Sequence, residues 1–208
     1  MPEEMGVFEV IYNCRAMRRL KPDPVPEELL LKLADAGNHG PTGSNVQNVR
    51  WIIVRDPGQK RKLADLNRIA IDRIIEMDTV VELPHHPKAK RDRMREAVLW
   101  QAEHMHEIPA LIIACTEYEQ PAPDGAPRPG GGSVWPAVQN VLLAARALGL
   151  GAGPTSVGLA NRAAVKEVLS LPDTVEAHAL VPVGYPMGKF GPVTRLPVEE
   201  TVSWDRWA

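Results

Sequence analysis

Gly149-Leu150-Gly151-Ala152-Gly153-Pro154-Thr155-Ser156 is the stretch on which the fold turns, because three glycines in five residues could open a dinucleotide-binding βαβ unit. The order of elements rules that out. In such a unit the glycines follow a strand and open a helix, with a third glycine in fixed register. Here a helical segment precedes them. Ser133 to Leu148 carries Val134, Ala137, Val138, Val141, Leu142, Ala145 and Leu148, an apolar surface wide enough for a helix enclosed on most sides. Gly149 then reads as a helix stop, and Gly151 to Gly158 as an extended segment whose backbone can approach a ligand closely.

Downstream, Asn161 caps a short helix through Leu169, and Ala177 to Val183 reads as a strand ending at Gly184-Tyr185-Pro186. Upstream, Ala110 to Cys115 is a buried strand and Trp51 to Val54 a second, shorter one. Three helices are expected ahead of Ala110. One lies within Glu3 to Asn13, one opens with Pro26 at its first position and stops at Gly37, and a long one follows Asp56-Pro57-Gly58 with Leu63, Leu66, Ala70 and Ile74 on one face. From Pro84 to Arg95 the chain turns basic, with His85, His86, Lys88, Lys90, Arg91 and Arg93; residues 84–107 are expected to form a lid-like excursion. Residues 119–132 read as a flexible Pro/Gly loop. The tail from Lys189 to Ala208 carries Val198, Val202, Trp204 and Trp207 and is too apolar to float free, so it must dock. No repeat is present and neither half looks complete alone, so residues 1–208 are expected to form one α+β domain with helices on both sides of a sheet.

Charge excludes some partners. Lys and Arg number 24 against 26 Asp and Glu, a net of −2, which provides no basic surplus for nucleic acid or an anionic membrane. No apolar run approaches a membrane span, and Glu3, Glu4 and Glu9 interrupt any signal-like stretch. Two cysteines, Cys14 and Cys115, are too few for a disulfide framework, so a reducing cytoplasm is the expected setting.

Four constellations could carry chemistry. Cys14-Arg15-Ala16-Met17-Arg18-Arg19 sets three guanidiniums within five residues, able to grip a phosphate or simply to line a solvated turn. Gly40-Pro41-Thr42-Gly43-Ser44-Asn45-Val46-Gln47 offers small residues, backbone N–H groups and two side-chain amides to a planar polar ligand, unless it only connects helix to strand. The glycine run with Pro154, Thr155 and Ser156 is the third. Gly184-Tyr185-Pro186, with Lys189 and Arg195 beyond it, is the fourth. His104-Met105-His106-Glu107 lacks the spacing of a zinc motif, and no metal site is expected. No Gly-x-Ser-x-Gly elbow supports a serine hydrolase.

In that order and spacing the four constellations resemble the FMN-dependent nitroreductase family, and the resemblance covers nearly the whole chain. It implies a three-layer αβα sandwich with a mixed central sheet and a C-terminal tail exchanged across a homodimer that shares two flavins. It implies that Arg15, Ala16, Met17, Arg18 and Arg19 lie along the FMN phosphate and ribityl chain, with Arg195 closing the phosphate. Thr42, Gly43, Asn45 and Gln47 would reach the partner subunit's flavin. Pro154, Thr155 and Ser156 would face the reactive N5 edge, the last two through backbone N–H groups. No side chain acts as a catalytic nucleophile, since the flavin carries the chemistry. NAD(P)H would donate hydride and a nitroaromatic, quinone or similar small aromatic acceptor would receive electrons by a ping-pong route. A flavin carrier or sensor, flavin breakdown and reductive dehalogenation are the alternatives the same fold allows. The chain departs from the family pattern at Cys14, in place of an arginine, and at Ala16, in place of a serine.

Overall fold

The computed structural model describes residues 5–77, 87–121 and 131–207. In chain order these form α1 (Val7–Asn13), α2 (Glu27–Asn38), β1 (Val49–Val54), α3 (Pro57–Glu76), α4 (Lys88–His104), β2 (Ala110–Glu117), α5 (Val134–Ala147), β3 (Gly151–Ala152), α6 (Arg162–Leu169) and β4 (Val175–Gly184). Local chemistry explains several boundaries. The Asp56 carboxylate accepts from Gln59 N–H at 2.8 Å and Pro57 opens α3. Asn161 caps α6 by accepting from Ala164 N–H at 3.2 Å. Pro26 sits one residue before α2, at the cap, instead of at its first helical position.

Gly149 ends α5 as expected. Its φ is +74°, its N–H reaches Arg146 C=O at 3.2 Å, and Leu150 N–H reaches Ala145 C=O at 2.8 Å, a Schellman closure that a side chain at residue 149 would strain.

The sheet runs β1-β2-β4-β3 and every pairing among the described strands is antiparallel, which corrects the expected mixed sheet. Connectivity gives the reason. Two helices, α3 and α4, separate β1 from β2 and return the chain to the end it left, so β2 runs back beside β1. The single helix α5 leads from β2 to β3, which point the same way, but β4 inserts between them and pairs antiparallel with both. That helix-then-glycine order is what imitates a dinucleotide fingerprint.

Helices cover both faces. Leu30 and Leu33 of α2 and Ala137, Val138, Val141 and Ala145 of α5 pack on Ile112, Ala114, Ala179 and Val181. Leu63, Ala64, Met105 and Val165 pack on Leu111, Ile113, Cys115 and Leu180. Six successive residues of β2, Ala110 to Cys115, are fully buried, and a wholly buried Leu or Ile contributes about 2 kcal/mol by area removed from water.

Other segments depart from expectation. The pairing of Gly151–Gly158 with β4 is confined to β3 and a bridge at Thr155, and the chain then turns through Val157–Leu159, where a Cβ on Gly158 would stand 2.8 Å from Asn67 Cβ. Of the expected lid, Pro84, His85 and His86 lie outside the described residues. The remainder is α4 and the short turn after it, and their junction is core, with Gln101 and Ala102 of α4 and Met105 just beyond it buried. Most of the expected 119–132 loop, residues 122–130, likewise lies outside the described residues. Only the start of the tail docks on its own chain, with Val193 N–H donating to Tyr12 C=O at 3.0 Å and Phe190 under Arg146, while Trp204 and Trp207 are 84% and 92% exposed. No described helix is long and apolar enough to cross a membrane.

Candidate functional site

The Arg15–Leu20 segment is fixed by backbone. Met17 N–H donates to Ala152 C=O at 2.9 Å, Lys21 N–H to Tyr185 C=O at 2.8 Å, and Leu20 bridges Pro186. The glycines of the run make room for this. A Cβ on Gly151 would lie 2.6 Å from Leu20 Cδ2 and 3.0 Å from Met17 Cβ, and one on Gly153 would lie 3.2 Å from Ala16 Cβ. Their close approach is therefore to the N-terminal segment. Ala16 is small for the same reason.

That docking sets the arginines around a cleft of about 590 Å³ lined by residues 15–19 from one side, Gly188 and residues 192–195 from another, and α4 from a third. Arg15 Nη2 donates to Lys189 C=O at 2.9 Å, tying the two ends of the chain together. Arg18 is half-buried, and burial depresses its pKa below the usual arginine value; among the described residues no carboxylate pairs with it. A desolvated guanidinium of this kind favours an anion nearby. Arg19 approaches Glu96 of α4 only to 3.9 Å, both side chains being largely exposed. Arg195 donates to the neighbouring Thr194 C=O at 3.0 Å and keeps the rest of its fork toward the cleft. Met17 is 6% exposed with its N–H spent on Ala152, which limits it to the cleft's apolar floor.

Ser156 and Thr155 behave differently. Thr155 N–H donates to Leu180 C=O at 2.8 Å, so it is not available to a flavin edge; this corrects the expectation for that residue. Ser156 N–H carries no partner among the described residues, and Ser156 and Pro154 are exposed.

The Thr42–Gln47 loop lies elsewhere. Gly43 N–H donates to Ser133 Oγ at 3.3 Å, and a Cβ on Gly40 would meet Ala137 N at 2.8 Å, so the loop is pressed on the first turn of α5. Cys14, at the entry to the arginine turn, lies 3.6 Å from Leu142 C=O. Nine residues of helix, roughly 13 Å, separate the two positions. One chain does not bring Thr42, Gly43, Asn45 and Gln47 together with the arginines. The loop holds an unusual shape nonetheless: Ser44, Asn45 and Gln47 have φ near +50°, and Thr42 Oγ1 accepts from Gln47 N–H at 3.1 Å. Left-handed non-glycine residues are costly by roughly 1 kcal/mol or more each and gather at ligand sites.

Two residues that sequence reading left out line the cleft, Lys90 and Arg93. With Met94 and Ala97 they occupy i, i+3, i+4 and i+7 of α4, one helix face, and that spacing was the available signal. The cysteines are quiet. Burial raises the Cys14 thiol, opposed by nearby Arg146, and pushes the Cys115 thiol up to about 12. His104 stacks on Trp100 at 4.3 Å, and His106 lies beside Glu107.

Comparison with known proteins gives a consistent result. The profile of the Nitroreductase family matches residues 11–185. A Thermus thermophilus protein named NADH dehydrogenase is 31% identical over 202 residues, covering 91% of each chain. An iodotyrosine deiodinase from Thermotoga neapolitana is 24% identical over 188 residues, covering 86% of this chain and 88% of that one. A crystal structure of oxidised iodotyrosine deiodinase bound to FMN and 3-iodo-L-tyrosine superposes with a TM-score of 0.77 at 24% identity, covering 97% of this chain and all of that one.

Proposed function

This chain belongs to the nitroreductase family, and from that premise we propose that it is an FMN oxidoreductase that takes hydride from NAD(P)H and reduces a small conjugated acceptor such as a nitroaromatic or quinone. The observation that carries the reading is the cleft in which Arg15, Arg18, Arg19 and Arg195 converge from the two ends of the chain. The residues fit the cofactor. A phosphomonoester with nearly two negative charges matches several guanidiniums, one of them desolvated, and Ser156 supplies an uncommitted N–H.

Arg15 and Arg195 hold the phosphate, Arg18 balances charge beside it, and Ala16 against Gly153 leaves the chain backbone close to the cofactor's sugar-like tail. When bound, FMN supplies two-electron chemistry between a nicotinamide donor and an acceptor. The protein's own part is binding, orientation and field, and none of its side chains is asked to be a nucleophile.

The site is completed by a second copy. The Thr42–Gln47 loop sits too far along α5 to serve its own chain's arginines, while Phe8, Tyr12 and Trp135 are 67%, 61% and 48% exposed and the end of the tail, with Trp204 and Trp207, is exposed. A two-fold pairing that buries these surfaces brings one protomer's loop to the other's flavin and seats the tail. Two unpaired thiols suit a cytoplasmic setting. Reductive dehalogenation is the second reading, supported by the deiodinase relative.

The test is the visible spectrum of the purified protein, without oxygen, before and after NADPH or NADH. Flavin bands that bleach, followed by reoxidation with a nitroaromatic or quinone, are expected. Bands that persist with both donors favour a carrier or sensor. Bleaching with reoxidation only by a halotyrosine, with halide release, favours the dehalogenase.

A further inference from the structure

We infer that α4 reads the nicotinamide donor and that Lys90 and Arg93 select NADPH over NADH; this rests on the oxidoreductase reading above. Six cations line the cleft: Arg15, Arg18, Arg19, Lys90, Arg93 and Arg195. One flavin phosphate occupies at most two or three guanidiniums, and among the described residues the only carboxylate within ion-pair distance of any of the six is Glu96, 3.9 Å from Arg19. Positive charge is left over, and it lies on α4.

The surplus has an address. Lys90, Arg93, Met94 and Ala97 share one face of α4 and all four line the cleft, so that wall alternates cation with apolar surface. Such a wall suits a flat heterocycle bearing phosphates: the ring lies on Met94 and Ala97 while Lys90 and Arg93 meet the anions. Of the neighbouring acids on the helix, Asp92 pairs with Lys88 at 2.8 Å and Glu96 approaches Arg19. Among the described residues neither Lys90 nor Arg93 has a carboxylate partner. NADPH differs from NADH by a 2′-phosphate carrying about 1.5 to 2 further negative charges, so unpaired cations here discriminate between the two where uncharged side chains could not.

The experiment uses the flavin-loaded protein and titrates NADP⁺ and NAD⁺ by calorimetry at low and high salt. NADP⁺ is expected to bind roughly tenfold tighter at low salt, with the ratio shrinking as salt screens the cleft. The K90Q/R93Q pair should bring the ratio near one while retaining full flavin content. R95Q, which removes a positive charge from the same helix at a residue that does not line the cleft, should leave the ratio unchanged. Equal affinities in the unaltered protein, a ratio that survives K90Q/R93Q, or flavin loss in that variant would each overturn the assignment, the last by giving these cations to the flavin phosphate. Flavin that bleaches with both NADPH and NADH in a separate anaerobic cuvette confines such a failure to the donor preference; no bleaching with either reduced nucleotide overturns the oxidoreductase reading itself.

Discussion

The arginine turn and the Thr42–Gln47 loop are both short and named by the same family resemblance, yet they are built in opposite ways. The turn is laced into the sheet by Met17–Ala152, Leu20–Pro186 and Lys21–Tyr185, and every residue from 15 to 19 has φ in the ordinary range. The loop rests on α5 through Gly43 and Gly40 and holds three left-handed non-glycine residues by bonds within itself, Asn45 N–H to Thr42 C=O at 3.0 Å, Val46 N–H to Gly43 C=O at 3.1 Å and Gln47 N–H to the Thr42 hydroxyl, and by Arg50 on Gln47 C=O. A segment that serves its own chain is fixed by its own sheet. One that closes mainly on itself is available to another surface in the pairing proposed above.

The sharpest way to break the contrast is at the two glycines that seat these segments. Gly151→Val drives a side chain into Leu20 and Met17 and should destabilise the fold by about 3 kcal/mol while abolishing flavin retention. Gly40→Ala meets the α5 backbone at Ala137 and should destabilise by about 2 kcal/mol, with dimerisation lost at a lower urea concentration than folding. Urea unfolding and sedimentation, each followed with flavin absorbance, distinguish the two.

Next in size are the phosphate contacts. Arg15→Ala and Arg195→Ala should each weaken FMN binding by roughly 1.5 to 3 kcal/mol, read by equilibrium dialysis, without moving the unfolding midpoint appreciably. Thr42→Val removes the acceptor that holds Gln47 N–H and should cost about 1 kcal/mol of loop order, read as faster hydrogen exchange confined to residues 42–47. Smallest is Cys14→Arg. Although it restores the family's usual residue, Cys14 is half-buried and within electrostatic reach of Arg146, so the new guanidinium should strengthen FMN binding by no measurable amount and destabilise by about 1 kcal/mol.

The sequence already displayed much of this. Alternation and apolar runs placed all three long strands, Gly149 announced the end of α5, and Asn161 its cap on α6, because each of these is decided within a few neighbouring residues. Arg15, Arg18, Arg19 and Arg195 were legible as cations and do meet in one cleft. What escaped was non-local. Thr155 N–H is consumed by Leu180, which only the β4 register reveals. The mixed sheet gave way to an antiparallel one because β4 inserts between two strands that point the same way. In sequence Lys90 and Arg93 belong to a lid-like basic excursion, and that they line the cleft depends on where α4 packs. The positive φ values fall on Ser44, Asn45 and Gln47 while the loop's glycines stand at 40 and 43, so composition pointed beside the strained positions.

The stitching of residues 15–20 to residues 151–153 and 185–189 has a consequence for biosynthesis. A ribosome must release most of the polypeptide before the arginines have these partners, so if they hold the flavin as proposed, a nascent fragment ending before Gly151 is expected to lack the cofactor. Colour would then report that translation has passed the glycine run: products terminated earlier, however well their first strands collapse, would leave the cell's flavin pool untouched.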